Sequence, residues 1–466
     1  MKRLFILSIT LLFLCSANSL YAKKKRVDLI IRGGTIVTMD ANWRIIKNGS
    51  VAIRKNKIVA VGTARSIARK YFSNRRIYAR NKVVIPGLIN THTHIPMTIF
   101  RGIADDLDLN EWLTKYIFPA EARNVNERMV RIGTRLGLGE LIRGGTTTYT
   151  DMYYFEDAVA DETSKAGVRG VLGETLIDFP APDNKTFDDG LKYAEKFIKK
   201  WKGNSLVIPA VAPHAPYTVS QDRLIAARAL SDKYEVPLLT HLAEAPSEVE
   251  FIRKNKNMRP IEYVAKIGFL SKRLVAAHVV YANDKEIEML KRIGVGVSHN
   301  PQSNMKLAAG VAPIPQMLKA NLRLGLGTDG AASNNDLNLW EEMDTAAKLH
   351  KAFSKDPKVV SAKEAFQMAT IGGARALHLE DKIGSIEAGK LADIVIVNFD
   401  SLHQTPFYNV YSQLVYTTKA SDVHTTIING KIVMRNRRLL TLNERLIKKQ
   451  ANVLARKVVK SLRTKN

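Results

Sequence analysis

The middle of the chain alternates. Eight apolar, strand-like runs follow one another: VVIPGLINTH, TTTYTDM, VRGVLGET, LVIPAVAPH, PLLTHLAE, LVAAHVVYA, GVGVSHNP and LRLGLGTDG. Most are separated by stretches with helical spacing, such as NERMVRIGTRLGLGELIRG and SQDRLIAARALSDKY. Strands that alternate with helices pair in parallel. Eight such units predict a closed (β/α)8 barrel of the TIM type over residues 85–385, in an α/β chain. A doubly wound open sheet is the other arrangement this pattern permits.

The flanks differ from the middle. VDLIIRGGTIVTM and SVAIRKNKIVAVG near the start, and LADIVIVNFD and HTTIINGKIVMRN near the end, read as short strands with turn signals at Gly33-Gly34, Lys55-Asn56 and Asn429-Gly430. Residues 23–84 and 386–440 are therefore expected to form one small composite β-sandwich domain from both ends of the chain. Residues 441–466 form a basic tail. Leu446, Val453, Leu454, Val458 and Leu462 have helical spacing there, so the tail should pack as a helix on the body with its charges in solvent.

Residues 1–22 have the layout of a secretory signal peptide: Lys2-Arg3, then LFILSITLLFLC, then SANSLYA. The apolar part is too short to span a membrane. The expectation is an exported, periplasmic protein with no stable membrane insertion after cleavage. Cys15 is the only cysteine, so a chain cleaved after Ala22 has no thiol, and any metal must be held by His, Asp or Glu. The formal net charge is +27, which invites anionic partners. Basic residues are spread along the chain without a nucleic-acid motif, so specific nucleic-acid binding is not expected. A homo-oligomer is compatible with the sequence.

Two histidines close the first run. His92 and His94 are two residues apart, and alternate residues of a strand face the same way. Alone, the pair suits a metal and equally suits two polar residues at a strand end. The barrel changes that weighting, because the C-terminal ends of its strands meet at one mouth. Run four ends at His214, run five at His241 with Glu244 three residues later, run six carries His278, and run eight ends at Asp329. Several imidazoles and a carboxylate suit one divalent metal, zinc foremost and ferrous iron second. Glu244 stands where a carboxylate could move protons.

PGLINTHTH, HLAE, AAH and LGTDGAASNN, in this order, resemble the amidohydrolase superfamily. Over residues 27–435 the chain is similar to its branch of adenosine-type deaminases and triazine hydrolases, known for 5′-methylthioadenosine and S-adenosylhomocysteine deaminases. The resemblance implies that His92, His94, His241 and Asp329 bind one metal. It implies that His278 orients the attacking water, that Asp329 takes its proton, and that Glu244 protonates the ring nitrogen beside the reacting carbon before ammonia leaves. The absence of a lysine at the end of run four favours a single ion.

RGIADDLDLNEWL and FPAEARN resemble the family's lid and ribose-contact segments. Trp112 would then pack on a nucleoside-like small molecule, Glu121 would accept hydrogen bonds from ribose hydroxyls, His214 would lie against the base, and Ser333 would add a polar contact. Read without the resemblance, Trp112 is a core or loop anchor and Glu121 a solvated helix residue. His299 is read as a brace for the seventh-strand loop. Glu174 stands where arginines are expected in enzymes acting on S-adenosylhomocysteine, and its charge would repel the substrate carboxylate. That ranks 5′-methylthioadenosine or adenosine first. The alternatives are an aminohydrolase or chlorohydrolase of another heteroaromatic ring, such as a guanine-like base or a triazine, and a catalytically silent binding protein on an enzyme scaffold.

Overall fold

The computed structural model describes residues 24–463; the expected signal segment lies outside the described residues. Eight parallel strands close into a barrel: β1 (Leu88–Thr93), β2 (Thr146–Tyr153), β3 (Arg169–Leu176), β4 (Val207–Pro213), β5 (Leu238–Leu242), β6 (Leu274–His278), β7 (Gly296–His299) and β8 (Arg323–Leu326). They neighbour one another in chain order, and β8 returns to β1 through Leu326 and Asn90. Every residue of β1, β2, β3, β5, β6 and β7 is buried. A parallel strand covered by helices outside and by the barrel interior inside has no wet face, so these runs read as continuous rather than alternating hydrophobicity.

Helices follow the strands, among them Glu127–Gly144 after β1, Glu156–Ala166 after β2, Phe187–Trp201 after β3 and Gln221–Tyr234 after β4. Their ends carry capping chemistry the sequence supplies: Asn126 accepts from the Met129 amide, Thr186 from that of Asp189, and Asn283 from that of Glu286. The Glu127–Gly144 helix presses closely on the segment after β1. A Cβ on Gly133 would fall 2.3 Å from the Pro96 carbonyl oxygen, and one on Gly137 would fall 2.4 Å from Ile95 Cγ1. Glycine at both positions lets the segment that carries His94 lie flat against the helix.

The two flanks join in one nine-stranded sheet. Its path runs from Arg438–Leu439 through Lys431–Arg435, Val423–Ile428, Ile394–Asn398, Lys82–Pro86, Leu29–Val37 and Ile45–Arg54 to Lys57–Thr63, with Arg76–Tyr78 beside Leu29–Val37. The sheet curls until its far turns touch: Asn56 donates to the Asn429 side chain at 3.1 Å, and its carbonyl accepts from the Ala392 amide at 2.8 Å. Ile31, Ile36, Ile53, Ile58, Ile394 and Ile427 fill a second core inside this curl, separate from the barrel core. Arg169 at the start of β3 ties the two bodies through Asp393, at 3.1 Å with both side chains buried. The last described element is the helix Glu444–Arg463. Among the described residues no helix is long and apolar enough to cross a membrane.

Candidate metal centre and active site

The strand ends bring the expected polar residues together. One ligand atom from each of His92, His241, His278 and Asp329 lies within 4.8 Å of the others. His94 joins them: its Nε2 is 3.2 Å from His241 Nε2 and 3.3 Å from Asp329 Oδ1. His92 Nε2 lies 3.3 Å from the same carboxylate oxygen.

The orientation of the imidazoles is fixed from behind. His94 Nδ1 donates to the Met152 carbonyl at 2.6 Å, and His241 Nδ1 donates to the His214 carbonyl at 2.7 Å. Carbonyls only accept, so both Nδ1 atoms carry hydrogen, and in the neutral rings both Nε2 atoms present lone pairs. Two lone pairs 3.2 Å apart repel unless a cation lies between them. His278 Nδ1 donates to Asn304 Oδ1 at 2.8 Å, and its Nε2, like that of His92, is buried without a hydrogen-bond partner. Inward lone pairs backed by outer acceptors are the arrangement a divalent metal requires. The donor set, nitrogen and carboxylate without sulfur, fits zinc or iron.

Charge follows the same geometry. Burial holds the His92 imidazole down to about 4. Burial also opposes charge on His94, but the hydrogen bond and charge of Asp329 lift it to about 9, a proton on Nε2 that a metal ion bound there would displace. Burial works against ionised Asp329, and the His92 and His94 imidazoles beside it overcome that, so its carboxyl lies well below the usual range. Asp329 Oδ2 also accepts from Ser303 at 2.7 Å and from Ser333 at 2.9 Å. Asp329 and His278 have φ of 62° and 72°. Left-handed backbone is costly for such residues, of order 1–3 kcal/mol, and is held only where the surroundings impose it.

Glu244 lines the cavity beside this cluster, with Oε1 3.6 Å from His278 Nε2. Burial, with the charge of Asp329, pushes its carboxyl up to about 8. Its position is set by Glu248, whose two oxygens accept the amides of Ala243 at 2.9 Å and Glu244 at 2.8 Å. His214 lines the cavity next to His241, with ring centroids 4.8 Å apart, and its Nδ1 pairs with Thr218 at 2.8 Å.

The opposite wall comes from a continuous helical segment: Leu109–Glu111, a wider π-wound stretch Trp112–Ile117, and Phe118–Asn124. Leu109, Trp112, Leu113, Phe118 and Glu121 face the cavity. Trp112 Nε1 is buried without a partner. Glu121 is also buried; the Tyr153 hydroxyl donates to its Oε1 at 2.6 Å, and burial pushes its carboxyl up to about 7. Among the described residues no lysine or arginine lines the cavity.

Two expectations change. Ser333 does not line the cavity; its hydroxyl faces Asp329 and Ser303 and is spent on holding the carboxylate. Glu174 faces away from the mouth, because Thr175 beside it on β3 takes the inward position. It accepts from the Glu156 amide and the Asn184 side chain, both at 3.1 Å, and burial, with the charge of Asp183, pushes its carboxyl well above the usual range. It offers a substrate no negative charge. His299 lies outside the mouth with its Nε2 3.0 Å from that of His350, joining β7 to the helix Leu339–Ser354.

Sequence reasoning passed over Asn304, Ser303, Glu248, Tyr153 and Asp151. Asp151 Oδ1 accepts from Thr93 Oγ1 at 2.5 Å and from the Ile95 amide at 2.6 Å, so it fixes the turn on either side of His94. The one charged residue of TTTYTDM, at the end of a strand-like run, was the available signal for Asp151. The NPQSN stretch after β7 was the signal for Ser303 and Asn304.

Comparison with known proteins agrees with this geometry. The amidohydrolase family model matches residues 83–433. A 5-methylthioadenosine/S-adenosylhomocysteine deaminase of Syntrophobacter fumaroxidans is 45% identical over 433 residues, covering 93% of this chain and 99% of that protein. A 5′-deoxyadenosine deaminase of Methanocaldococcus jannaschii is 45% identical over 409 residues, covering 87% and 95%. Among solved structures, a zinc-bound adenosine deaminase from Xanthomonas campestris superposes with a TM-score of 0.92 at 35% identity, over 94% of this chain and 100% of that one. A zinc-bound atrazine chlorohydrolase from Arthrobacter aurescens TC1 superposes at 0.85 with 25% identity, over 92% and 100%. With the whole barrel inside the matched span, which covers well over half of the chain, the chain belongs to the amidohydrolase family.

Proposed function

We propose that the protein is a metal-dependent deaminase that hydrolyses the exocyclic amino group of an adenosine-like nucleoside. Its preferred substrates carry an uncharged 5′ end, as in 5′-methylthioadenosine, 5′-deoxyadenosine and adenosine. The observation that carries this reading is the pairing of Glu121 with the metal cluster across one cavity. A buried carboxylate already bonded to Tyr153 has lone pairs left for ribose hydroxyls, which a bare heterocycle does not need satisfied. The names of the relatives support the same substrate class.

His92, His94, His241 and Asp329 would hold the ion, zinc in preference to iron, in keeping with the zinc-bound relatives. A divalent ion there lowers the pKa of a coordinated water toward neutrality. The remaining work falls to side chains. Glu244, kept protonated by burial, donates to the ring nitrogen beside C6 and makes that carbon electrophilic. His278 turns its Nε2 lone pair inward because Asn304 fixes its other nitrogen, and it accepts a hydrogen bond from the attacking water. Asp329 takes the water's proton. A C–O bond forms at C6; the proton held by Asp329 passes to the amino group, the C–N bond breaks and ammonia leaves, and the hydroxyl proton of the adduct returns to Glu244. Trp112 packs against the nucleoside and excludes bulk water. The discrimination against S-adenosylhomocysteine rests on the missing cation: a carboxylate entering a cavity without lysine or arginine loses hydration and gains no partner.

The test is direct. The chain purified from residue 23 onward is assayed for bound metal, and ultraviolet absorbance is followed with adenosine, 5′-methylthioadenosine, 5′-deoxyadenosine and S-adenosylhomocysteine. Turnover of the first three above the last supports the reading. A fully metallated protein inert on all four but active on a guanine-like base or a triazine overturns it. Export remains a proposal from residues 1–22, and cell fractionation decides it.

A further inference from the structure

The C-terminal helix Glu444–Arg463 does more than cover apolar surface. It packs against three elements at once: the Glu127–Gly144 helix, the Ile95–Phe100 segment that follows His94, and the Phe118–Asn124 segment that carries Glu121. Ile447, Ala451 and Val458 bury its inner face, and the turn beyond Val458 makes polar contacts. Asn124 Nδ2 donates to Ser461 Oγ at 2.8 Å, and the Ser461 hydroxyl lies 3.0 Å from Asn124 Oδ1. Arg123 donates to the Ser461 carbonyl at 3.2 Å. These bonds sit on the last two residues of the cavity wall. Asn124 is one turn beyond Glu121, and its Nδ2 also donates to the Ala120 carbonyl at 2.9 Å.

The other end of the wall is held separately. Lys306 reaches Asp105 at 2.5 Å and Asn335 Oδ1 at 2.7 Å, joining the loop before Leu109 to the loops after β7 and β8. Between these two anchors, the outer face of the wall is open: Asn110, Thr114, Lys115 and Tyr116 are exposed. The π-wound stretch within it departs from regular helix, a common feature where a helix is shaped for function. A wall held at its ends and free along its outer face takes its position from its anchors.

We infer that the C-terminal helix is a strut that sets the position of the substrate wall, with Ser461 and Asn124 as positioning residues for Glu121 and Trp112. The inference extends the proposed nucleoside reading, because it gives Glu121 its place across from the metal cluster. It also makes the tail part of the substrate-binding apparatus without touching the substrate.

The test uses the full chain. Ser461→Ala removes the hydroxyl, Asn124→Ala removes the partner, and Ser461→Thr keeps a hydroxyl. Hydrogen–deuterium exchange is read on the peptides covering residues 109–124, with barrel-strand peptides as the internal reference; this readout needs no turnover. The expected result is about fivefold faster exchange in residues 109–124 for both alanine variants, unchanged exchange in the strands, and return toward the parent rate in Ser461→Thr. With a turned-over nucleoside, KM should rise about fivefold in the alanine variants while kcat changes less than twofold, at equal metal content. Unchanged exchange in residues 109–124 in both alanine variants overturns the strut, as does acceleration shared equally by the strands. If exchange responds as expected and no nucleoside is turned over, the strut stands and the substrate assignment falls.

Discussion

Two groups of buried carboxyls lie on opposite sides of the barrel wall. Glu121, Glu244 and Asp329 face the mouth; Glu156 and Glu174 stand behind β2 and β3, near Asp151 and Asp183. Burial raises Glu244 and Glu121 inside, and it raises Glu156 and Glu174 outside. A perturbed carboxyl is therefore no guide to chemistry by itself. What differs is the company. Inside, imidazole lone pairs and an open cavity stand opposite each carboxylate. Outside, carboxyls meet one another: Glu156 is pushed up by burial and by Asp151, and Glu174 by burial and by Asp183. Such groups are pushed toward the protonated form by packing alone.

The comparison can be broken at four points. Asp329→Asn should cost the most, at least about 10³-fold in kcat/KM, because it would remove the proposed metal ligand and the proposed proton acceptor together. Elemental analysis should show reduced metal content in the same preparation. Glu244→Gln should keep the metal and lose about 10²- to 10⁴-fold in kcat, the range of a missing general acid; retained turnover would remove Glu244 from the inner group. Glu121→Gln should raise KM for ribosides by about 10- to 150-fold, the cost of one hydrogen bond to a charged group, with kcat less affected. An equal effect on a substrate without ribose would contradict its assignment.

Glu174→Gln should leave kcat and KM unchanged, and its signature is in stability. A carboxyl whose folded-state pKa lies above its ordinary value of 4.5 binds a proton on folding. The parent therefore loses stability as pH rises above about 4.5, by at most about 1.4 kcal/mol per pH unit, until the folded-state value is passed. The glutamine variant lacks this slope. Thermal melts taken upward from pH 5 should show the variant gaining on the parent. Parallel melts would mean that Glu174 is ionised in the folded protein.

The barrel was legible in the sequence because parallel strands buried on both sides write themselves as unbroken apolar runs, and because polar residues at their ends have no packing reason to be there. His92, His94, His241, His278 and Asp329 were found that way, and the structure gathers them at one mouth. Reading which side a residue faces was harder. Glu174 and Thr175 are neighbours on β3, and a shift of one position exchanges cavity for packing. Ser333 failed for a related reason: two serines and a carboxylate satisfy one another locally, and sequence does not reveal that the hydroxyl is already used. Asp151 was hidden because its partners, Thr93 and the Ile95 amide, lie 58 and 56 residues away.

The curled sheet has a consequence in time. The turn at Asn56 meets the turn at Asn429, 373 residues away in sequence. Strand Lys82–Pro86 pairs with Ile394–Asn398 across the whole barrel. On a ribosome adding about 5–20 residues per second, the early strands wait tens of seconds for the later ones. Through that interval Ile31, Ile53 and Ile58 have no completed core to enter. The barrel can assemble first, and the sheet closes last. The nascent chain therefore carries an open, apolar strand edge for most of its synthesis, and that edge is where a chaperone would be needed and where aggregation would begin.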